Sequence, residues 1–248
     1  MIVIPTNRIL VASNINMSNS ISIIGCGWLG LPLGSYLVEK GYDVKGSTTR
    51  SQKFPLLKEK GIVSFLIKVG KNLEGENIDI FFQSKVLIIN IPPGRHRSDV
   101  ENIHPKEVKN IVEKAATGDV EKIIFVSSIG VYSNSNNVVT EEDSPNPTTS
   151  SGKALTQIEQ FLKKDTRFQT TILRMAGLVG GERKAGRFLA GKKNIPNGLA
   201  PVNLVHRDDC TEVIYQIIKQ ACWNEVCHVC SDEHPKRKEF YTQQAKKQ

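Results

Sequence analysis

A chain of 248 residues, 39% hydrophobic and 23% charged, is long enough to bury a sizeable core and too apolar to stay disordered. It holds no run approaching the roughly 18 apolar residues of a membrane-spanning helix, so no membrane partner is expected. The net charge of +8 is dispersed, with small basic clusters only at Pro235 to Lys238 and at Lys246 and Lys247; this is a solvated basic surface that also suits anionic substrates, not a specific nucleic-acid footprint.

The first 16 residues, "MIVIPTNRILVASNIN", lack the apolar core and cleavage site of a signal peptide. Met17 directly precedes "SNSISIIGCGWLG", so residues 1–17 are expected to be a poorly ordered extension or the product of a misplaced start. From Ile21 to Ile24 a short β-branched run closed by Gly25 predicts a buried parallel strand. Leu29 to Lys40 carries helical spacing, with Leu29, Leu33, Tyr36 and Leu37 on one side and a stop at Gly41.

A second strand is expected around Val44, a short helix in "QKFPLLKEKG", and a third strand in "VSFLIKV". "KVLIIN", "KIIFVSS" and "QTTILRM" supply the fourth, fifth and sixth strands, with a helix from Val108 to Ala116 between the fourth and fifth. Strands alternating with helices imply a doubly wound parallel sheet covered on both faces. Ser133 to Gly152 is a long polar loop, more often functional than not. "CTEVIYQIIKQA" is a helix for which Asp208 is the expected N-cap, His206 being left as a surface or pocket histidine.

The cysteines are Cys26, Cys210, Cys222, Cys227 and Cys230, an odd number without a secretory leader, which favours reduced thiols and a cytoplasmic location. Cys227 and Cys230, with His228 and His234 nearby, lack the second ligand pair of a zinc ribbon; the segment reads as a short strand, Val226 to Cys230, and no metal is expected.

Gly25-Cys26-Gly27-Trp28-Leu29-Gly30 is a G-x-G-x-x-G that follows a predicted strand and opens a predicted helix. In that context Gly25 allows the tight turn, Gly27 admits a pyrophosphate to the backbone, and Gly30 lets helix and strand pack, while the helix aims free N–H groups at the anion. The second strand ends "KGSTTR" with no acid between Val44 and Lys58 to hold ribose hydroxyls. Thr48, Thr49 and Arg50 suit a 2′-phosphate instead, so NADP is the expected cofactor and NAD the alternative.

Together with "VLIINIPPG", "VSSIGVY", "EEDSPNPTTSSGK", "LRMAGLVGGER", "NLVHRDD" and "SDEHPKRKEFY", this motif resembles the extended short-chain dehydrogenase/reductase superfamily, in its atypical, NAD-dependent epimerase/dehydratase-like branch. The resemblance runs from about Ser18 to Tyr241. It implies a Rossmann fold with a dinucleotide-binding core over residues 18–170, and over 171–248 the last core elements with a small substrate lobe. It places Ile91 and Pro92 beside the cofactor, makes "LRMAGLVG", with Arg174, the turn that opens the substrate cleft, and sets "NLVHRDD" where core and substrate-lobe helices meet.

The superfamily's catalytic group is a Ser, a Tyr and a Lys four residues after the Tyr. Ser128 matches the serine and Lys153 the lysine, which would also bond the nicotinamide ribose. The tyrosine position holds Thr149, whose hydroxyl is not acidic near neutral pH. Tyr132 is the candidate substitute. Relatives also continue for several dozen residues past the "EFY" helix, so the lobe is expected to be truncated, open or completed by a partner subunit in a homodimer.

Two readings follow. One is an NADP-preferring epimerase- or oxidoreductase-like enzyme acting on a small hydroxyl or carbonyl compound such as a nucleotide sugar. The other is a non-catalytic NADP(H)-binding sensor or assembly protein.

Overall fold

The computed structural model describes residues 19–94, 99–135, 137–189 and 191–246. The expected N-terminal extension, residues 1–17, lies outside these. Ten strands are formed: β1 Ser20–Ile24, β2 Asp43–Thr48, β3 Val63–Val69, β4 Leu73–Gly75, β5 Val86–Ile89, β6 Lys122–Ser128, β7 Gln169–Met175, β8 Gly177–Val179, β9 Leu204–His206 and β10 Val226–Val229. The helices are α1 Gly30–Glu39, α2 Phe54–Glu59, α3 Ile78–Phe81, α4 Val100–Ala115, α5 Ser150–Lys164, α6 Arg207–Gln220 and α7 Arg237–Lys246.

Eight strands make one sheet in the order β10-β7-β6-β5-β1-β2-β3-β4, parallel except for the edge pair β3 and β4. β8 and β9 form a separate parallel pair, Gly177 opposite Leu204 and Val179 opposite His206. The chain leaves β1 towards β2 on one side and returns through β5 on the other, so the carboxyl ends of β1 and β5 flank the crevice where the winding direction reverses.

Side-chain alternation divides the core between the two faces of the sheet. Val86 and Ile88 of β5 join Leu33, Leu37, Ile214 and Ile217 under α1 and α6. Leu87 and Ile89 join Val108, Ile111, Leu155 and Ile158 under α4 and α5. Each such aliphatic side chain, essentially sealed from water, contributes about 1.5–3 kcal/mol on burial. Gly46 in β2 leaves room for Cys26, Ile62 and Leu57, since a Cβ there would lie 2.6 Å from the Cys26 sulfur.

α4 begins eight residues before the expected Val108. Pro105 lies inside it and has no N–H for the carbonyl of Glu101, but Gln157 of α5 donates to that carbonyl at 3.4 Å. α6 also departs from expectation. Its N-cap is His206, whose Nδ1 accepts from the Asp208 N–H at 3.3 Å, while Asp208 sits inside the first turn. The strand expected from Val226 to Cys230 is present as β10, ending at Val229; Cys227 within it and Cys230 just past it pack against the core, and burial raises both thiols above their ordinary range. Among the described residues no helix is long and apolar enough to cross a membrane.

Candidate dinucleotide and active site

The glycine-rich loop leaves β1 with Gly25 at φ +100°, where a Cβ would lie 2.4 Å from the carbonyl oxygen of Asn90. Two residues outside the motif hold this turn. Ser47, buried at the end of β2, accepts from the Gly25 N–H through its hydroxyl at 3.0 Å and from the Cys26 N–H through its carbonyl at 2.9 Å. Asn90, just past β5, donates from Nδ2 to the Gly25 carbonyl at 3.1 Å. A polar residue at the carboxyl end of each strand flanking β1 was the sequence signal for both.

Gly30 opens α1 so close to the turn that a Cβ would lie 2.2 Å from the Gly25 oxygen. Gly27 is the opposite case: it is exposed and a Cβ there would meet nothing within 4 Å. The loop is thus closed behind Gly25 and Gly30 and open in front of Gly27, and α1 has no side-chain cap on its first N–H groups at Leu29. That is a cradle into which a diphosphate fits.

Beyond β2, the Thr48 hydroxyl accepts from the Arg50 N–H at 3.2 Å and pins the chain direction. Thr49 and Arg50 are exposed, and the Arg50 guanidinium has no ion-pair partner among the described residues. Past Asn90, Ile91 packs partly against the core and Pro92 is exposed. Trp28 is partly buried beside the loop, whereas the Leu29 side chain is sealed in the core with Leu33 and Leu37.

Ser128, Thr149 and Lys153 come together at the end of β6. Ser128 accepts from the Gly130 N–H at 3.1 Å and starts the tight turn Ile129–Val131. The first turn of α5 abuts it, because a Cβ on Gly152 would lie 2.3 Å from the Gly130 oxygen. Thr149 is the N-cap of α5, its hydroxyl accepting from the Gly152 N–H at 3.1 Å. Lys153, half exposed, has its Nζ 3.6 Å from a Glu101 carboxylate oxygen of α4. An exposed pair of that length is weak and exchangeable.

Tyr132 is buried, and its hydroxyl is committed to several partners. It lies 3.0 Å from the Thr140 carbonyl and 2.9 Å from Nε2 of His228, and it accepts from the Arg174 guanidinium. Burial raises its pKa above that of an ordinary phenol, although Arg174 acts in the other direction. Arg174 does not open a cleft: it is sealed within β7 and paired with Glu159 of α5 at 2.7 Å. Glu159 also accepts from the Ser127 hydroxyl at 2.5 Å. A Glu141 carboxylate oxygen accepts from the backbone N–H of His228 at 2.7 Å, which fastens the loop before α5 to β10 and lowers the carboxyl's pKa.

A family model described as NAD(P)H-binding matches residues 25–221, most of the chain, from the glycine-rich loop through α6. The chain belongs to the NAD(P)H-binding family. Protein YeeZ of Escherichia coli (strain K12) is 33% identical over 228 residues, covering 91% of this chain and 82% of YeeZ. Two solved structures share the fold at lower identity. UDP-glucuronic acid 4-epimerase from Bacillus cereus, in complex with NAD and UDP-4-deoxy-4-fluoro-glucuronic acid, is 16% identical with TM-score 0.74, covering 92% of this chain and 82% of the epimerase. Gre2 of Candida albicans, in complex with NADPH, is 17% identical with TM-score 0.69, covering 86% of this chain and 78% of Gre2. The Rossmann architecture of the sheet is shared with both structures.

Proposed function

We propose that the chain is an NADP-preferring oxidoreductase of the epimerase/dehydratase type, acting on a small hydroxyl or carbonyl compound without the usual tyrosine. The observation that carries this reading is the open Gly27 cradle, with the exposed Arg50 past β2 on one side and Ser128 and Lys153 past β5 on the other. The cofactor would supply or accept hydride. Gly25, Gly27, Trp28, Leu29 and Gly30 hold its diphosphate, Thr49 and Arg50 its adenosine end, Ile91 and Pro92 the crevice wall, and Lys153 the nicotinamide ribose once it leaves Glu101. Ser128 orients the substrate oxygen. Thr149 shapes the α5 terminus and moves no proton. The substrate's proton therefore exchanges with solvent or with a group of the substrate itself, because Tyr132 is held in a buried network. A nucleotide sugar remains the favoured substrate class by likeness to the UDP-sugar epimerase, and cytoplasmic NADP(H) the natural pool.

A specific observation favours the second reading, a non-catalytic NADP(H) sensor: both hydroxyls near the proton-transfer position, Thr149 and Tyr132, are engaged in structural bonds. One pair of measurements separates the readings. NADPH and NADH are titrated by fluorescence on wild type and Arg50→Ala, and NADPH oxidation is followed with a panel of carbonyls and sugar nucleotides. Arg50→Ala is expected to weaken NADPH about tenfold or more and leave NADH unchanged. Turnover abolished by Lys153→Ala supports the enzyme; saturable NADPH binding with no turnover across the panel supports the sensor.

A further inference from the structure

The indole of Trp28, inside the glycine-rich loop, carries two guanidinium groups. Cζ of Arg183 lies 4.2 Å from the ring centroid and Cζ of Arg207 5.5 Å from it. Three segments far apart in sequence build this cluster: the loop itself, the turn closed by mutual hydrogen bonds between Gly180 and Arg183, and the start of α6. The turn leaves no room for side chains of its own against His206 and Arg207. Gly180 and Gly181 have φ of +121° and +52°; a Cβ on the first would lie 2.7 Å from Nε2 of His206, and on the second 3.0 Å from Nη1 of Arg207. Arg207 therefore packs against both the turn and the indole.

The charges in this cluster do not balance. Arg183 has no ion-pair partner among the described residues, and Arg207 has only Asp208, at 3.4 Å, whose side chain is largely exposed. The buried N–H of Trp28 has no hydrogen-bond acceptor among the described residues. Two planar cations sharing one ring repel each other, and an indole N–H sealed from water without an acceptor is costly. A single oxyanion bonding both guanidinium forks would balance their charge.

We propose that Arg183, Arg207 and Trp28 form an oxyanion site that takes the diphosphate of the bound dinucleotide, together with the backbone N–H groups of residues 25–30. The proposal rests on the dinucleotide reading above and adds to it a clamp supplied from the β8–β9 side, which the glycine motif does not contain. The turn and the α6 terminus then close over the cofactor, so that the small second sheet becomes part of the cofactor site.

The chain has two tryptophans, Trp28 and Trp223, so a Trp223→Phe background leaves Trp28 as the reporting indole. ADP-ribose, adenosine and inorganic phosphate are titrated against it by tryptophan fluorescence, with affinities taken from calorimetry. ADP-ribose is expected to perturb Trp28 emission where adenosine does not. Arg183→Gln and Arg207→Gln are each expected to weaken ADP-ribose about tenfold and to leave adenosine unchanged. Arg183 is exposed, so its variant folds normally and serves alone if Arg207→Gln lowers the melting temperature. Unchanged ADP-ribose affinity in Arg183→Gln, with wild type still binding NADPH, overturns the clamp and spares the dinucleotide reading. A Trp28 response to inorganic phosphate that equals or exceeds that to ADP-ribose assigns the site to a separate anion and also overturns it. No binding of NADPH or ADP-ribose by wild type overturns both.

Discussion

Thr149 caps α5, its hydroxyl satisfying an N–H that would otherwise be left unpaired at the start of the helix. This side chain is therefore tied to the fold, whatever its part in the proposed chemistry. Thr149→Ala is expected to cost about 1 kcal/mol and lower the melting temperature by roughly 2–4 °C, while Thr149→Ser keeps the bond and the stability. Equal melting temperatures for the two variants in a thermal scan would show that the cap carries no weight. Thr149 as an anomaly was readable in the sequence, but its capping role needed the backbone, because Ser150 and Ser151 are equally plausible caps on composition.

At the scale of elements, α5, β7 and β10 are joined by one buried polar network from Ser127 through Glu159 and Arg174 to Tyr132 and His228. It ties the middle of α5, at Glu159, to the carboxyl ends of β6 and β7, at Ser127 and Arg174. Removing one charge of a sealed pair leaves the other without compensation. Glu159→Ala is expected to destabilise the protein by about 3–5 kcal/mol in a urea melt, whereas Glu101→Ala, which removes only the exposed partner of Lys153, should cost less than about 1 kcal/mol. Similar losses for both would mean that Arg174 is not isolated from water. The main strands were legible as apolar β-branched runs between glycines and helical patterns. The network was not, although its signals were present: an arginine inside "QTTILRM" and a glutamate on the apolar stripe Leu155, Ile158, Glu159, Leu162. Pro105 hid the first two turns of α4, because only a donor from another helix makes a proline tolerable there. β4, β8 and β9 have three residues each, too short for any alternation to declare them.

For the molecule as a whole, the network links stability to pH. Burial holds the pKa of His228 below the ordinary 6.5 of an imidazole, with the Arg174 charge acting in the same direction and Glu141, Glu159 and Asp143 opposing it. The unfolded chain thus binds the proton more readily. Stability from the neutral imidazole is fully present above about pH 6.5 and is lost as pH falls through the lower native value. Melting temperatures should decline from pH 7.5 to pH 5, and His228→Gln should flatten that decline; a parallel decline in the variant would place the titration elsewhere.

The layered sheet and its switch point rest on many redundant signals, which is why the fold could be read from the sequence. The site depends on contacts between distant segments, such as Ser47 and Asn90 on Gly25, and on Gly180–Arg183 against Trp28.

The central claim is that the crevice between β1 and β5 binds a dinucleotide through the open face of Gly27. NADPH titration of wild type beside Gly27→Ala tests it most directly, because the added Cβ touches nothing in the protein and leaves the fold intact. Saturable binding by wild type and a loss of tenfold or more in Gly27→Ala, at an unchanged melting temperature, is the predicted result. Equal affinity in the two proteins, or no saturable binding by wild type, would contradict it.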